Sequence, residues 1–273
     1  MWSFDDPPNF KKAVISLFEG SGAGYGTNGD FHWNHARRLV ELAQLQPGQT
    51  VLDVATGTAP AAIMAAQTVG ATGRVVGLDL TFDMLKYGRQ NIAAAGLTKL
   101  ELVVGDAEQL PFNAGSFQVV LCASSLPWFP NLPAALKEFE RVVVKGGKVI
   151  FSCYGGEWRV ATTKILNEVL AAYGKSTIEL NERLNTPDKC RQLALKAGFK
   201  AVEVRVEEHR IMSRDPHQVY QEMGPKPGGR FRLKLEGINQ AELKAAYLAR
   251  LEQLNLSQPD WNQDYIQFVS AGK

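Results

Sequence analysis

Cysteine and histidine are scarce in this chain of 273 residues, with three of the first and four of the second. Cys122, Cys153 and Cys190 stand far apart in the sequence and make no C-x-x-C pair. That argues against a zinc site or a disulfide framework and for a reducing compartment, so a cytoplasmic location is expected. No stretch approaches the ~18 consecutive apolar residues of a membrane span. The opening residues, MWSFDDPPNFKK, lack a basic start followed by an apolar core, and no secretory signal is expected. A strong charge of one sign is missing too. A net charge of +2 and a pI near 8.4 leave no basic footprint for a polyanion, so no nucleic-acid partner is expected. Internal repeats and long low-complexity segments are absent. What remains is 45% apolar and 21% charged, the composition of a globular protein with one large domain and a smaller lid or insertion. A monomer or homodimer is expected.

The stretch that organises the chain is residues 50–62, TVLDVATGTAPAA. Val51, Leu52 and Val54 form an apolar run that stops at a turn containing Gly57, and a helix of small residues follows. Strand, tight turn and helix open a doubly wound α/β domain, whose ligands sit beyond the carboxyl ends of the strands. Asp53 lies at the mouth of the first strand. A carboxylate there repels a pyrophosphate and favours a cationic ligand. The dinucleotide fingerprint wants three glycines, but the small positions here are Ala55, Gly57 and Ala59. No Gly-Lys-Ser/Thr follows, so the phosphate-loop pattern fails as well. A ligand with an adenosine end and a positively charged end fits the turn better than a dinucleotide.

Before this stretch, the first ten residues look loose and a short helix is expected over about 9–19. Residues 20–29 hold five glycines, a loop that needs an external reason to order. Tyr25, His32, Trp33 and His35 lie in or beside it, and a helix is expected over 31–45. After it, a second buried strand runs to Asp79, about the ~20 residues past Gly57 at which an acidic side chain reaches a ribose hydroxyl. Thr81 is placed to cap the next helix, with Asp83 suiting its dipole and Met84, Leu85, Ile92 and Ala95 on its inner face. Further strands are expected over 100–105, 117–122 and 148–153, with a helix over 133–141. This alternation implies a parallel sheet with right-handed crossovers. The rhythm then changes. Helices are expected over 160–173, from Pro187 to Gly198, and over 240–254. An alternating strand is expected over 201–211 and a last strand over 265–270, pairing antiparallel with the sheet.

Taken together, LDVATGTAP, VVGLDLTFDML, GDAEQLPF and RVVVKGG resemble the class I S-adenosylmethionine-dependent methyltransferases, and among them the ubiquinone/menaquinone-biosynthesis-type branch that acts on small molecules. The motifs cover about residues 30–155. The resemblance implies a mostly parallel, Rossmann-like seven-stranded sheet with an antiparallel C-terminal strand and helical lid insertions. It implies a lid segment at 1–45, a cofactor-binding domain at 46–212 completed by a strand within 259–273, and a substrate cap at 213–258. It assigns the methionine end of S-adenosyl-L-methionine to Asp53 and to the turn of Ala55, Thr56, Gly57 and Thr58, with the backbone of Cys122 and Ala123. Asp79 takes the ribose hydroxyls, Leu80 and Met84 pack on the adenine, and Asp106 meets the adenine amino group beside Ala107. The chain departs from the pattern at Ala59, where glycine is usual and the extra methyl is expected to shift the methionine end slightly. It departs also at Gln118 for aspartate and at Lys145 for proline.

Methyl transfer needs an acceptor held in line with the S–CH3 bond and water kept out. It needs no metal, and it needs a base only if the acceptor arrives protonated. His32, His35, His209 and His217 are the histidines available; His32 and His217 are preferred, with Tyr25 as a further contact. The acceptor is expected over the carboxyl edge among Trp128, Phe129, Tyr154 and Trp158, which suits an aromatic or apolar metabolite. Arg230, Arg232 and Lys234 are candidates for an anionic group. Two other readings stay open at this point: a nucleotide-binding oxidoreductase, and a non-catalytic subunit that binds S-adenosylmethionine without turnover.

Overall fold

The computed structural model describes residues 4–20, 22, 31–155, 160–174, 180–210, 215–223, 237–254 and 263–273. Helix α1 (Pro7–Phe18) starts where Asp6 accepts a bond from Asn9 N and proline fills the first turn. Helix α2 (Phe31–Ala43) then leads to β1 (Thr50–Val54), α3 (Pro60–Val69), β2 (Arg74–Asp79), α4 (Phe82–Ala94), β3 (Leu100–Val104) and β4 (Phe117–Cys122). Next come α5 (Leu132–Val142), β5 (Val143–Gly155), α6 (Val160–Ala171), α7 (Pro187–Ala197) and β6 (Lys200–Arg210). Helices α8 (Pro216–Met223) and α9 (Gln240–Glu252) and strand β7 (Gln263–Gly272) complete the order.

The seven strands form one sheet in the order β3-β2-β1-β4-β5-β7-β6. All neighbours pair in parallel except β7, which runs antiparallel to both β5 and β6. The chain works outward from β1 to β3, then returns to place β4 on the other side of β1. The order therefore reverses between β1 and β4, and ligands of such sheets bind at that crevice. Alternate strand residues face opposite layers. Val51, Val75, Val119 and Ile150 pack under α2 and α3, while Leu52, Val76, Val120 and Phe151 pack under α5 and α7. A third apolar cluster joins α6, α8 and α9 around the fully buried Tyr247.

Four local expectations change. Strand β5 begins at Val143 rather than 148, because Lys145-Gly146-Gly147 is an irregularity within the strand rather than a turn before it. A Cβ at Gly147 would lie 2.6 Å from Gln118 O, so only glycine allows that approach. Thr81 holds the N-cap position of α4 but makes no side-chain cap bond; its own N–H is taken by Asp79 Oδ1 at 2.8 Å. Ala95 is exposed at the C-cap of α4. Helix α8 was not expected in the proline- and glycine-rich stretch around it. Gln118 accepts both the N–H and the hydroxyl of Thr50 at 2.6 Å, at the end of the sheet away from the crevice.

Candidate functional site

The turn after β1 is stiff. Ala55, Gly57 and Ala59 all have left-handed backbones, with φ of 55°, 58° and 70°, and the two alanines each store about 1 kcal/mol of strain there. Contacts to β2 hold this shape: Thr56 N donates to Leu78 O at 3.0 Å, and Gly57 N to Asp79 Oδ2 at 2.8 Å. The Ala59 methyl is fully buried and faces α4, 3.5 Å from where a Cβ on Gly88 would stand. Ala59 is not among the residues lining the cleft, so its methyl does not reach the methionine end of the site.

A cleft opens over the carboxyl ends of β1, β2 and β4. Asp53, Asp79 and Asp106 all line it, with Ala55, Thr56, Gly57, Thr58, Leu80, Met84, Ala107, Ala123 and His32. The three carboxylates differ sharply in company. Asp53 is 1% exposed. Its Oδ2 accepts the Thr56 hydroxyl at 2.6 Å, while its Oδ1 has no hydrogen-bond partner among the described residues. Burial pushes its carboxyl up to about 7, the Thr56 hydroxyl and the Ala62 amide offsetting only part of that. Asp79 is buried as well, and burial raises its pKa, but both of its oxygens accept backbone N–H groups, from Thr81 and from Gly57. Asp106 is more exposed and already neutralised: its Oδ2 meets Lys11 Nζ at 2.7 Å and its Oδ1 accepts Glu108 N at 2.9 Å.

The facing wall comes from elements that precede and follow this edge. Lys11, Val14 and Phe18 of α1 line the cleft, as do Ser124, Ser125, Trp128, Phe129 and Pro130 beyond β4. Phe18 packs edge-on against Trp128 at 5.5 Å between ring centroids. Ser124 has a left-handed backbone, φ 54°. Its hydroxyl lies 3.4 Å from the Nδ1 of the buried His35 and 3.3 Å from the Ser152 hydroxyl. His35 in turn packs near Tyr154, with 6.2 Å between ring centroids.

Three residues expected at the site lie elsewhere. Tyr154 is buried in the core and does not line the cleft. Cys122 is fully buried in the core and does not line the cleft; burial pushes its thiol well up. His217 is exposed in the first turn of α8 and does not line the cleft either. Tyr25, Trp158, Arg230, Arg232, Lys234 and the side chain of His209 fall outside the described residues. Sequence reasoning missed Lys11, Phe18 and Glu108. It also missed that Cys153 and Cys190, free and buried, bring their sulfurs within 3.3 Å.

Among the described lining residues Lys11 is the one lysine or arginine, against Asp53, Asp79, Asp106 and Glu108. A phosphate placed in this cleft would meet that acidic excess. An ammonium at Asp53 would satisfy the orphaned oxygen, and hydroxyl or amino donors would suit Asp79 and Asp106. No described helix is long and apolar enough to cross a membrane.

The ubiE/COQ5 methyltransferase family profile matches residues 30–180, more than half of the chain. Over 114 residues the chain is 41% identical to a demethylmenaquinone methyltransferase of Bacillus cereus, a match covering 42% of this chain and 48% of that protein. The chain thus spans about half the length of the curated relatives it matches. A solved structure of a putative methyltransferase from Bacillus halodurans aligns with a TM-score of 0.58 at 23% identity, over 87% of this chain and 98% of that one. A phosphoethanolamine N-methyltransferase from Haemonchus contortus aligns with a TM-score of 0.59 at 18% identity, over 96% of this chain and 57% of that one. At such identities the two structures share the fold.

Proposed function

The chain belongs to the ubiE/COQ5 methyltransferase family, and on that footing we propose that it transfers a methyl group from S-adenosyl-L-methionine to a small, apolar, aromatic acceptor. The observation that carries the reading is Asp53: a buried carboxylate with one unpartnered oxygen at the mouth of β1. That oxygen fits the ammonium of the ligand's amino-acid end. Asp79, fixed by two backbone N–H groups, faces the ribose hydroxyls with its remaining lone pairs. Leu80, Met84 and Ala107 border the adenine, and Asp106 takes its amino group. The backbone of Ala123 and the turn of Ala55, Thr56, Gly57 and Thr58 enclose the amino-acid end. In this reading residues 1–45 act as a lid, 46–212 and 259–273 form the α/β domain, and 213–258 cap the acceptor. The apolar cluster of α6, α8 and α9 supports the cap from both segments.

When bound, S-adenosylmethionine supplies an electrophilic methyl on a sulfonium. The protein orients the acceptor between Phe18, Trp128 and Phe129 and excludes water with the same rings. His32, which lines the cleft, holds the proton that a hydroxylated acceptor gives up, and Ser124 places that hydroxyl. The relatives' name makes reduced demethylmenaquinone the first acceptor to test. Calorimetry with S-adenosylmethionine, S-adenosylhomocysteine and NAD is expected to give heats for the first two and none for NAD. Release of S-adenosylhomocysteine is expected only when the quinol is present. Binding of NAD alone would replace this reading with a dehydrogenase.

A further inference from the structure

Helix α1 crosses the cleft and is tied down at separate points of the sheet edge. Lys11 Nζ meets Asp106 Oδ2 at 2.7 Å and Glu108 Oε2 at 2.5 Å, past β3. Phe18 leans on Trp128, past β4. Gly20, just beyond the helix, donates its N–H to Asp83 Oδ2 in the first turn of α4 at 2.8 Å. Of these three ties only that of Lys11 is an ion pair, and only it touches a carboxylate assigned above to the ligand.

Asp106 Oδ1 is committed to the N–H of Glu108. Each oxygen keeps a second lone pair, but of the two donors already bound only the Lys11 ammonium on Oδ2 can move, so an incoming amino group competes with it there. Glu108 is itself held, since its Oε1 accepts Asn131 N at 2.6 Å. The lysine thus has a fixed second carboxylate on which to rest. We propose that Lys11 is a gating residue of this site: an adenine amino group gains Asp106 Oδ2 as Lys11 retreats onto Glu108, and α1 gives way with it. The gate rests on the S-adenosyl reading. Burial pulls the Lys11 pKa down, but its bonds to Asp106 and Glu108 more than offset that, so the ammonium stays charged throughout. One ion pair is exchanged for a ligand hydrogen bond while the other is kept. Both partners are partly exposed, 23% and 33%, so the barrier this adds is modest.

Two substitutions pull the gate in opposite directions. Lys11→Met frees Asp106, and the association rate of S-adenosylhomocysteine, followed by stopped-flow tryptophan fluorescence, is expected to rise about fivefold. Lys11→Arg restores the wild-type rate. Glu108→Gln removes the resting place, leaves Lys11 on Asp106 alone and is expected to slow association about threefold. S-adenosylhomocysteine has no net charge, so added salt acts through the ion pair: it speeds association to the wild type and leaves Lys11→Met flat. A mere loosening of α1 would move both variants the same way, and that result, or unchanged rates, overturns the proposal. If the wild type binds no S-adenosylhomocysteine, the adenosyl reading falls and with it the assignment of Asp106. The tie itself is then read by hydrogen exchange of α1 amides in the unliganded protein. Faster exchange in Lys11→Met retains the latch without its ligand, and equal exchange removes it.

Discussion

The two ends of the cleft solve opposite electrostatic problems. At the β1 end, Asp53 is dry, partnered on one side only, and held by a turn that forces two alanines into left-handed backbones. At the β3 end, Asp106 is wetter and already neutralised by a lysine of the same chain. The first end stores an unmet demand for a cation, and the second has met its demand and must be persuaded to exchange it. A ligand gains most where the protein has left itself unsatisfied, so binding energy is expected to be concentrated at Asp53.

The strongest way to break this comparison is Asp53→Asn. The amide keeps an acceptor for the Thr56 hydroxyl but offers no charge to an ammonium. Affinity for S-adenosylhomocysteine is expected to fall about 100-fold by calorimetry, as for a buried charged hydrogen bond. The unliganded variant is expected to melt a few degrees higher near pH 8, because an uncompensated buried carboxylate has gone. Lower affinity with a lower melting temperature would instead make Asp53 a structural residue.

The second test is pH. With its carboxyl raised to about 7 in the folded protein, Asp53 holds its proton more tightly folded than unfolded. Its contribution to stability is therefore complete below its unfolded pKa, is lost as pH rises through about 7, and stays flat above that. Asp79, also raised by burial, acts in the same direction. Ligand affinity runs the other way. It is expected to climb up to about tenfold per unit towards pH 7 as Asp53 ionises, then level off, with Asp53→Asn losing that slope. The smallest effect belongs to the other end. Asp106→Asn is expected to cost about threefold in affinity, since the loss of a charged acceptor is partly offset by no longer having to displace Lys11. Equal losses from Asp53→Asn and Asp106→Asn would erase the difference between the ends.

The β1 end was legible in the sequence because its signals are local. An apolar run, an acid, a turn of small residues and a helix follow one another within thirteen positions, 50–62. Asp79 and Asp106 repeat the same strand-then-acid logic, the parallel sheet followed from the alternation of elements, and the antiparallel last strand from the break in that alternation after 201–211. The β3 end was only half legible, because what completes it arrives from far away. Lys11 meets Asp106 across 95 residues of chain, and nothing in the spacing of either residue announces the other. The nearness of Cys153 and Cys190 was hidden in the same way, by the fold of β5 against α7 rather than by any motif. Thr81 stands at the N-cap position as its sequence context suggested, yet its hydroxyl makes no cap bond, a rotamer choice that spacing does not encode. Helix α8 is only 8 residues long, too short for its periodicity to stand out beside prolines and glycines.

The position of Gly88 beside the turn has a consequence for how the sequence can drift. A methyl added at Gly88 would crowd Gly57 O and Leu102 at 3.3 Å, while the Ala59 methyl at 3.5 Å would stay in ordinary contact. What holds position 88 to glycine is therefore the backbone of the turn and the side chain of β3, not the residue at 59. Glycine in place of Ala59 should leave that restriction standing, a record of how close α4 comes to the turn.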